Sequence, residues 1–289
     1  AVYVDIDSDP TTFMSSSDSL DLPVNSQVLW AGLYWGAKIN SSTANYTDRD
    51  KVKLSNGSGS YQTLIADEIF DVANITSYFC FKDITSIVSN NPINSRYTIA
   101  DLVTRTGSTN RYGGWSIVVV YENPSLPPKN LMVFDGVGNI SLFTNPNTPS
   151  LDIPLSGFQT PANGPVNIDI GAIVYDGDRE QTGDQLKFNG VGNYVNISDA
   201  LHNATNFFNS TISRSGAMTP NRIPYFNNTL GMDANIYSLD NSSFDYLANG
   251  DTSATLRVST ASETIHVQVF TTAIDLNDPT FESSPITTA

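Results

Sequence analysis

The strongest constraint on the fold is a repeated pattern of short β-branched and aromatic runs, each ended by a cluster of Gly, Pro, Asn, Asp or Ser. Such runs favour β-strands, and the clusters between them favour turns. Apolar residues recur at helical spacing in only a few places. The sequence therefore predicts an all-β chain, with strands expected at 2–6, 27–39, 50–54, 61–69, 95–103, 115–121, 130–134, 151–155, 166–174, 185–188, 194–195, 236–239, 254–259 and 264–274.

Two stretches predict short helices that connect the strands. The first covers residues 83–89, where Asp83 is placed to cap the helix. The second covers residues 197–209, where Leu201 and Phe208 lie two helical turns apart.

The chain is long enough for more than one β-sandwich. A Pro-rich turn at 123–128 and a Pro/Asn stretch at 144–149 place a soft boundary near residue 140. We expect two packed antiparallel, jelly-roll-like sandwiches, or one elongated double sandwich. The predicted units are residues 1–140, residues 141–276 and a linker-like tail at 277–289.

The apolar strands indicate where the core lies. Segment 115–121 is apolar almost throughout, which favours a central strand covered on both faces. Trp30 and Trp35 belong to another predicted strand and are expected beside Trp115. Core packing is the expected role of these indoles, and a sugar-stacking platform is the alternative.

The charge balance argues against two classes of partner. The chain has 14 Lys and Arg against 29 Asp and Glu, a formal net charge of −15. Nucleic acids and anionic lipid headgroups both require clustered cations. No apolar run approaches the ~18–20 residues of a membrane helix. We therefore expect neither nucleic-acid binding nor membrane insertion.

Cysteine and histidine are too scarce for most soft-metal sites. The single Cys80 lies between two phenylalanines and is expected to be a small buried hydrophobe. A Ser-His-Asp triad would need His202 or His266, and no Gly-x-Ser-x-Gly motif accompanies either. His266 is expected to share a polar strand face with Thr264 and Gln268.

Acidic residues offer a hard cation two candidate sites. Asp5, Asp7 and Asp9 alternate with period two, so an extended chain would direct all three to one face. Oxygen ligands of this kind bind Ca²⁺. The alternative is a solvated segment in which the aspartates make local turns.

The second acidic cluster is the loop that follows strand 166–174. Its acids are expected to bind Ca²⁺, and the alternative is a surface loop rich in Asx turns in which Arg179 neutralises a neighbour. The candidate ligands are Asp176, Asp178, Glu180 and Asp184, with Asp233, Asp240 and Asp245 as further donors.

Three segments, in order, resemble the N-terminal region of large Bacteroidetes cell-surface proteins: residues 2–13, 28–36 and 112–124. Further segments fit at 134–136, 153–158, 176–184, 206–210 and 228–233. Those proteins are adhesin-like, associated with gliding motility and exported by the type IX secretion system. The resemblance implies an exported, surface-displayed β-rich module, and it transfers no catalytic residue.

The start of the sequence at Ala1 favours a mature exported chain whose signal peptide has been removed. Triplets of the Asn-x-Ser/Thr type would matter only if the source glycosylates surface asparagines; they include Asn45, Asn74, Asn196 and Asn227.

These observations together predict a non-enzymatic structural or adhesive module at the cell surface, part of a larger surface protein or filament. Its expected partners are surface glycans or other subunits of the assembly, with possible self-association through strand edges. One alternative is a Ca²⁺-dependent, lectin-like domain with an exposed Trp or Tyr beside an acidic loop. Another is a polysaccharide hydrolase, which needs two convergent carboxyls about 5–10 Å apart.

Overall fold

The computed structural model describes residues 1–57, 59–72, 76–107, 110–142 and 149–277. These residues form strands, one short α-helix, α1 (Thr85–Ser89), and a 3₁₀ turn at Tyr46–Asp48. The strands are β1 (Ser15–Ser19), β2 (Gln27–Lys38), β3 (Lys51–Ser55), β4 (Gln62–Ile65), β5 (Glu68–Val72), β6 (Ser77–Asp83), β7 (Arg96–Ala100), β8 (Gly113–Glu122), β9 (Lys129–Ser141), β10 (Ser150–Ser156), β11 (Ile168–Tyr175), β12 (Gln185–Asn189), β13 (Val195–Asn196), β14 (Ile212–Arg214), β15 (Ala217–Met218), β16 (Met232–Leu239), β17 (Ser253–Ser259) and β18 (Thr264–Asp275).

The strands form four sheets. Sheet A has the order β1-β7-β3-β4, and sheet B has the order β5-β6-β2-β8. Sheet C has the order β15-β14-β16-β11-β18-β9, and sheet D has the order β10-β17-β12-β13. The paired strands run antiparallel, apart from the parallel pair of β14 with β16.

Three apolar layers show how the sheets stack. The layer between sheets A and B includes Trp35 and Tyr97, and the layer between sheets C and D includes Phe188 and Leu256. A third layer lies between sheets B and C, where Phe79 packs near Tyr175 with ring centroids 5.1 Å apart. The order is therefore A, B, C, D, and the prediction of an all-β double sandwich is confirmed.

Sheets B and C are covered on both faces, which explains why apolar and polar residues do not alternate along some of their strands. In β6, Cys80 faces sheet A while Phe79 faces sheet C, so both directions are apolar. A hydrophobic run without alternation is a weak strand signal. The sequence did not predict β6, which lacks a clear alternation, or β1, which has no apolar side chain. It also did not predict β14 and β15, which are only 3 and 2 residues long.

The apolar segment 115–121 is a strand, β8, but its predicted central position is wrong. It pairs only with β2 and lies at the edge of sheet B. Its apolar character arises because sheet A covers one face and sheet C approaches the other. The expected neighbourhood of the tryptophans is confirmed for Trp35 of β2, which lies opposite Trp115, but it is wrong for Trp30, which lies opposite Val120 and packs between sheets B and C.

Other local predictions are also wrong. Residues 2–6 form no strand, and 61–69 form two strands, β4 and β5, instead of one. Residues 197–209 form turns because the Asp199 carboxylate accepts the backbone N–H groups of Leu201 and His202.

The helix predicted at 83–89 is confirmed as α1, and Asp83 accepts the Thr85 backbone N–H at 2.8 Å. No helix in the described ranges is long and apolar enough to cross a membrane.

The chain passes from sheets A and B to sheets C and D between β8 and β9. β9 spans the expected boundary near residue 140 and pairs along its length with β18. The division into two units stays a prediction. Most of the Pro/Asn stretch, the Asn74 triplet and the tail from 278 onwards lie outside the described residues.

Candidate functional site

The N-terminal acids cluster around a tyrosine. The Tyr61 hydroxyl donates a hydrogen bond to Asp7, and burial together with the charges of Asp7, Asp9 and Asp5 raises the pKa of Tyr61. Asp9 accepts the Thr11 backbone N–H at 2.8 Å. The segment is not extended, so the acids meet by turning around Tyr61 and not by strand alternation.

The acids of the 176–184 loop do not converge. Asp178 and Glu180 are exposed, Asp176 is half-buried, and Asp184 is fully buried. Burial raises the pKa of Asp176 to about 6, although the positive charge of Lys38 opposes the shift. Asp240 and Asp245 lie in a separate loop after β16. The predicted ligand set is therefore dispersed.

Asp184 instead belongs to a buried carboxyl cluster. It accepts the Phe208 backbone N–H at 2.5 Å and lies beside Glu263, which is 5% exposed. Burial and the neighbouring Asp184 charge raise the pKa of Glu263 to about 9. Burial and the Asp184 charge therefore favour the protonated form of Glu263 at neutral pH.

Asp233 is the third buried carboxyl of this region. Its oxygens accept the backbone N–H groups of Thr211 at 3.0 Å and Ser210 at 3.2 Å. Burial raises its pKa to about 8, with the Asp184 charge contributing. A side chain at Gly177 would place Cβ 2.7 Å from an Asp233 oxygen, so the loop approaches closely only through glycine.

No three acidic, histidine or cysteine side chains among the described residues are arranged to hold a metal ion. Calcium binding by Asp5, Asp7, Asp9 or the 176–184 loop stays a prediction. The observed contacts of Asp7 and Asp9 are the local turns that the alternative interpretation expected.

The two histidines are both buried. His202 contacts the Asp199 carboxylate through Nδ1 at 2.7 Å and the Thr211 hydroxyl through Nε2 at 2.9 Å. Because the Thr211 hydroxyl donates its proton to the Asn209 side chain, it accepts a hydrogen bond from Nε2. This chain of hydrogen bonds lies in the core, where the His202 ring packs against the Tyr237 ring with centroids 4.9 Å apart. It joins the 199–211 turns to one another.

His266 lies between sheets B and C, against the rings of Phe79 and Tyr112. The polar strand face expected there is buried, and Gln268 donates to the Cys80 carbonyl at 2.9 Å. A bulge between Val267 and Val269 also turns Val269 towards sheet B. Simple alternation could not anticipate the bulge.

A groove of about 540 Å³ lies between the edge strand β8 and the face of sheet C that is directed towards sheet B. β1 and the segment before β16 complete its walls. Five exposed large apolar side chains line it, each more than 40% exposed: Val2, Ile223, Phe226, Leu230 and Ile236. Exposed apolar surface gathered in one groove marks an interaction site.

The main chain of β8 borders this groove. Beyond its pairing with β2, strand β8 has no backbone hydrogen bond to any described residue. The Tyr175 hydroxyl reaches the Gly114 carbonyl at 3.3 Å. Side chains on β8 alternate: Trp115 and Ile117 pack into the A/B layer, and Val118 packs towards sheet C.

Cations gather in the groove despite the acidic chain. Arg214 and Arg222 line it, with Asp18 as the carboxylate among the lining residues. Burial lowers the pKa of Arg222, and the Asp18 charge opposes that shift. The charged side chains that line the groove therefore have a positive net charge.

Sequence reasoning missed the groove and the buried partner Glu263. The groove joins β1, β8, β14 and β16, which are distant in sequence, and no local motif marks them. Glu263 precedes an alternating strand, where an acid is usually a solvated end.

No protein-family model and no curated protein sequence matches this chain. Among solved structures, the chain is similar to PNGase F, described as a glycosylasparaginase from Flavobacterium meningosepticum. Identity is 11%, the alignment covers 92% of this chain and 90% of that one, and the TM-score is 0.29. A structure of infectious bursal disease virus, Gt strain, matches at 9% identity over 90% of this chain and 57% of that one, with a TM-score of 0.26. Similarity this low carries no functional argument.

Proposed function

We propose that this chain is a non-enzymatic structural and adhesive module of an extracellular surface assembly, whose copies associate by strand addition at β8. The observation that carries the proposal is the open edge of β8 inside an apolar groove. The resemblance to surface-displayed adhesin-like proteins supports the location.

An extended polypeptide is the ligand chemistry that best fits such an edge. Unpaired backbone N–H and C=O groups on an edge strand recruit another strand, and flanking pockets take its alternate side chains. The groove volume of about 540 Å³ lies within the roughly 300–1,000 Å³ range of ligand sites. Its exposed apolar residues, such as Ile223 and Phe226, would be covered by the incoming strand.

Charge complementarity favours a second copy as the source of that strand. The chain carries a net charge of −15, whereas Arg214 and Arg222 face only Asp18 in the groove. An acidic segment of another copy therefore meets opposite charge in the groove and like charge across most of the surface.

The test is the molar mass in solution as a function of protein concentration, measured by sedimentation equilibrium. We expect the mass to rise with concentration. Ser116→Asp places a carboxylate on β8 in the groove and should weaken association by about tenfold or more, because the carboxylate would be desolvated there and would repel the incoming acidic strand. Ser156→Asp, on the edge strand β10 of sheet D, makes the same charge change elsewhere and should associate as the unmodified chain does.

Two results would contradict self-association at β8. One is a monomer at every concentration, and the other is equal dissociation by Ser116→Asp and Ser156→Asp. Circular dichroism melts of both variants show whether they remain folded.

A specific observation also supports the second candidate, a Ca²⁺-dependent lectin-like domain. Tyr3 is 60% exposed, and partial desolvation together with the charges of Asp5 and Asp7 raises its pKa. An exposed ring beside carboxylates can stack on a sugar and accept its hydroxyl groups.

A glycan array with calcium and with EGTA tests this candidate. Tyr3→Ala should lose binding, whereas Tyr225→Ala should retain it, because Tyr225 is 43% exposed but lies under Arg222 at 5.3 Å. Absence of any bound glycan would eliminate the candidate.

A further inference from the structure

A second concave site, separate from the groove, collects cations at one end of sheet B. Lys38 ends β2, and Arg105 and Arg111 precede β8. All three line a cavity of about 390 Å³. The chain has only 14 Lys and Arg in 289 residues, so three in one cavity is a marked concentration of positive charge.

These cations form no ion pair in the described part of the chain, although Lys38 lies near enough to Asp176 for its charge to act on the pKa of that carboxyl. The guanidinium groups of Arg105 and Arg111 donate no hydrogen bond to a described residue, and none of the three side chains forms an ion pair there. Lys38 has a long contact of 3.5 Å to the Asn110 amide oxygen and lies 5.8 Å from the Tyr112 ring centroid. Like charges held together in this way gain from a bound anion.

The uncharged lining residues supply further donors. The Asn40 amide oxygen accepts hydrogen bonds from the Ser42 N–H, the Ser42 hydroxyl and the Thr43 hydroxyl. That oxygen is therefore occupied, and the amide NH₂ of this lining residue donates no hydrogen bond to a described residue. Thr76 adds a hydroxyl to the lining.

We propose that Lys38, Arg105 and Arg111 form a binding site for a compact oxyanion, the chemistry shared by free sulfate or phosphate and by a sulfated sugar. Guanidinium forks match the paired oxygens of such groups, and a lysine adds a point charge. The acidic surface repels a long polyanion, so the ligand is a small group or a short oligosaccharide. This site does not depend on strand addition at β8.

The experiment is isothermal titration calorimetry of the full chain at fixed ionic strength, with three probes in parallel: sodium sulfate, sodium phosphate and a heparin-derived disaccharide. We expect saturable binding of at least one probe. Arg105→Gln and Arg111→Gln should each weaken it by about tenfold, the effect of losing one charge-assisted hydrogen bond.

Lys187→Gln is the matched control, because Lys187 lies on β12 in sheet D and the substitution removes the same unit of charge. It should leave binding unchanged. Binding of the inorganic ions assigns the site to free oxyanions, and binding of the disaccharide alone assigns it to sulfated sugar. No saturable binding of any probe, or equal weakening by Lys187→Gln, would overturn the proposal. Thermal melts without ligand verify that each variant is folded.

Discussion

The indole N–H of Trp115 on β8 donates a 2.8 Å hydrogen bond to the hydroxyl of Ser16 on β1. β1 and β8 are the edge strands of sheets A and B, so this bond joins the two sheets at the wall of the groove. Tryptophan has one donor and no acceptor, and a half-buried indole N–H needs a partner.

Replacement of Ser16 by Ala should lower the free energy of unfolding by about 1–2 kcal/mol, because the Trp115 N–H is left without an acceptor. Ser19→Ala on the same strand is the control, since no hydrogen bond joins the Ser19 hydroxyl to a described residue. Urea unfolding followed by tryptophan fluorescence measures both. An equal loss of unfolding free energy in the two variants would show that any serine-to-alanine change on β1 is destabilising and that the Trp115 hydrogen bond is not the cause.

Gly114 allows Met232 to reach the main chain of β8. A Cβ at position 114 would lie 2.0 Å from the Met232 sulfur, and Met232 belongs to the layer between sheets B and C. Gly114→Ala should therefore destabilise the protein by about 1–3 kcal/mol through overpacking. In a Met232→Ala background the same substitution should cost clearly less, which a double-mutant cycle of urea midpoints measures. Additive effects would show that the sulfur is not the obstacle.

The raised pKa of Glu263 predicts that stability falls as the pH rises from 4.5 to about 9. Its pKa is about 9 when folded against 4.5 as the ordinary value, so the folded chain binds the extra proton between these limits. Its contribution is complete below pH 4.5 and is lost as pH rises through 9, with a slope of at most about 1.4 kcal/mol per pH unit.

Glu263→Gln removes this titration while keeping a donor towards Asp184. The free energy of unfolding of the variant, minus that of the unmodified protein, should therefore rise between pH 5 and pH 9. Exposed Glu180→Gln should show no such trend. A constant difference across the range would show that the pKa of Glu263 is not raised in the folded protein.

Cys80 should be unreactive in the folded protein. Its side chain is 0% exposed, and burial raises the pKa of the thiol, so both access and thiolate formation are suppressed. Alkylation by iodoacetamide should be slower than in urea by at least about a thousandfold, as expected when reaction requires unfolding.

An exposed thiol gives the reference for that measurement. Ser198→Cys introduces one at an exposed position, and it should react at the rate of a model thiol in native buffer. Rapid modification of Cys80 in the folded chain would contradict its enclosed position.

The strand pattern predicted much of the fold because turn residues bound most strands closely. β2, β12 and β18 fall where β-branched and aromatic runs place them. The prediction fails where a strand is covered on both faces, as in β6, since Phe79 and Cys80 are both apolar although they point in opposite directions. It also fails at 197–209, where the Asp199 carboxylate accepts hydrogen bonds from the backbone N–H groups of Leu201 and His202, and the segment forms turns in place of a helix.

The candidate sites were less predictable than the fold. Asp184 was a predicted cation ligand, yet its buried neighbour is Glu263, 79 positions away by residue number, and the pairing of β12 with β17 brings their loops together. The groove and the cation cavity likewise depend on distant segments. Composition indicated an acidic chain, but it could not show that Arg105 and Arg111 would lie together beside Lys38.

The pairing of β9 with β18 joins parts of the chain that are far apart in sequence. The Ser141 hydroxyl lies 2.9 Å from that of Thr264, a contact between residues 123 positions apart. Closing so long a loop has a high entropic cost before any contact compensates it, and topologies of this kind fold slowly. During synthesis, β9 emerges from the ribosome long before its partner, and it must remain unpaired until the last strand of sheet C has been made.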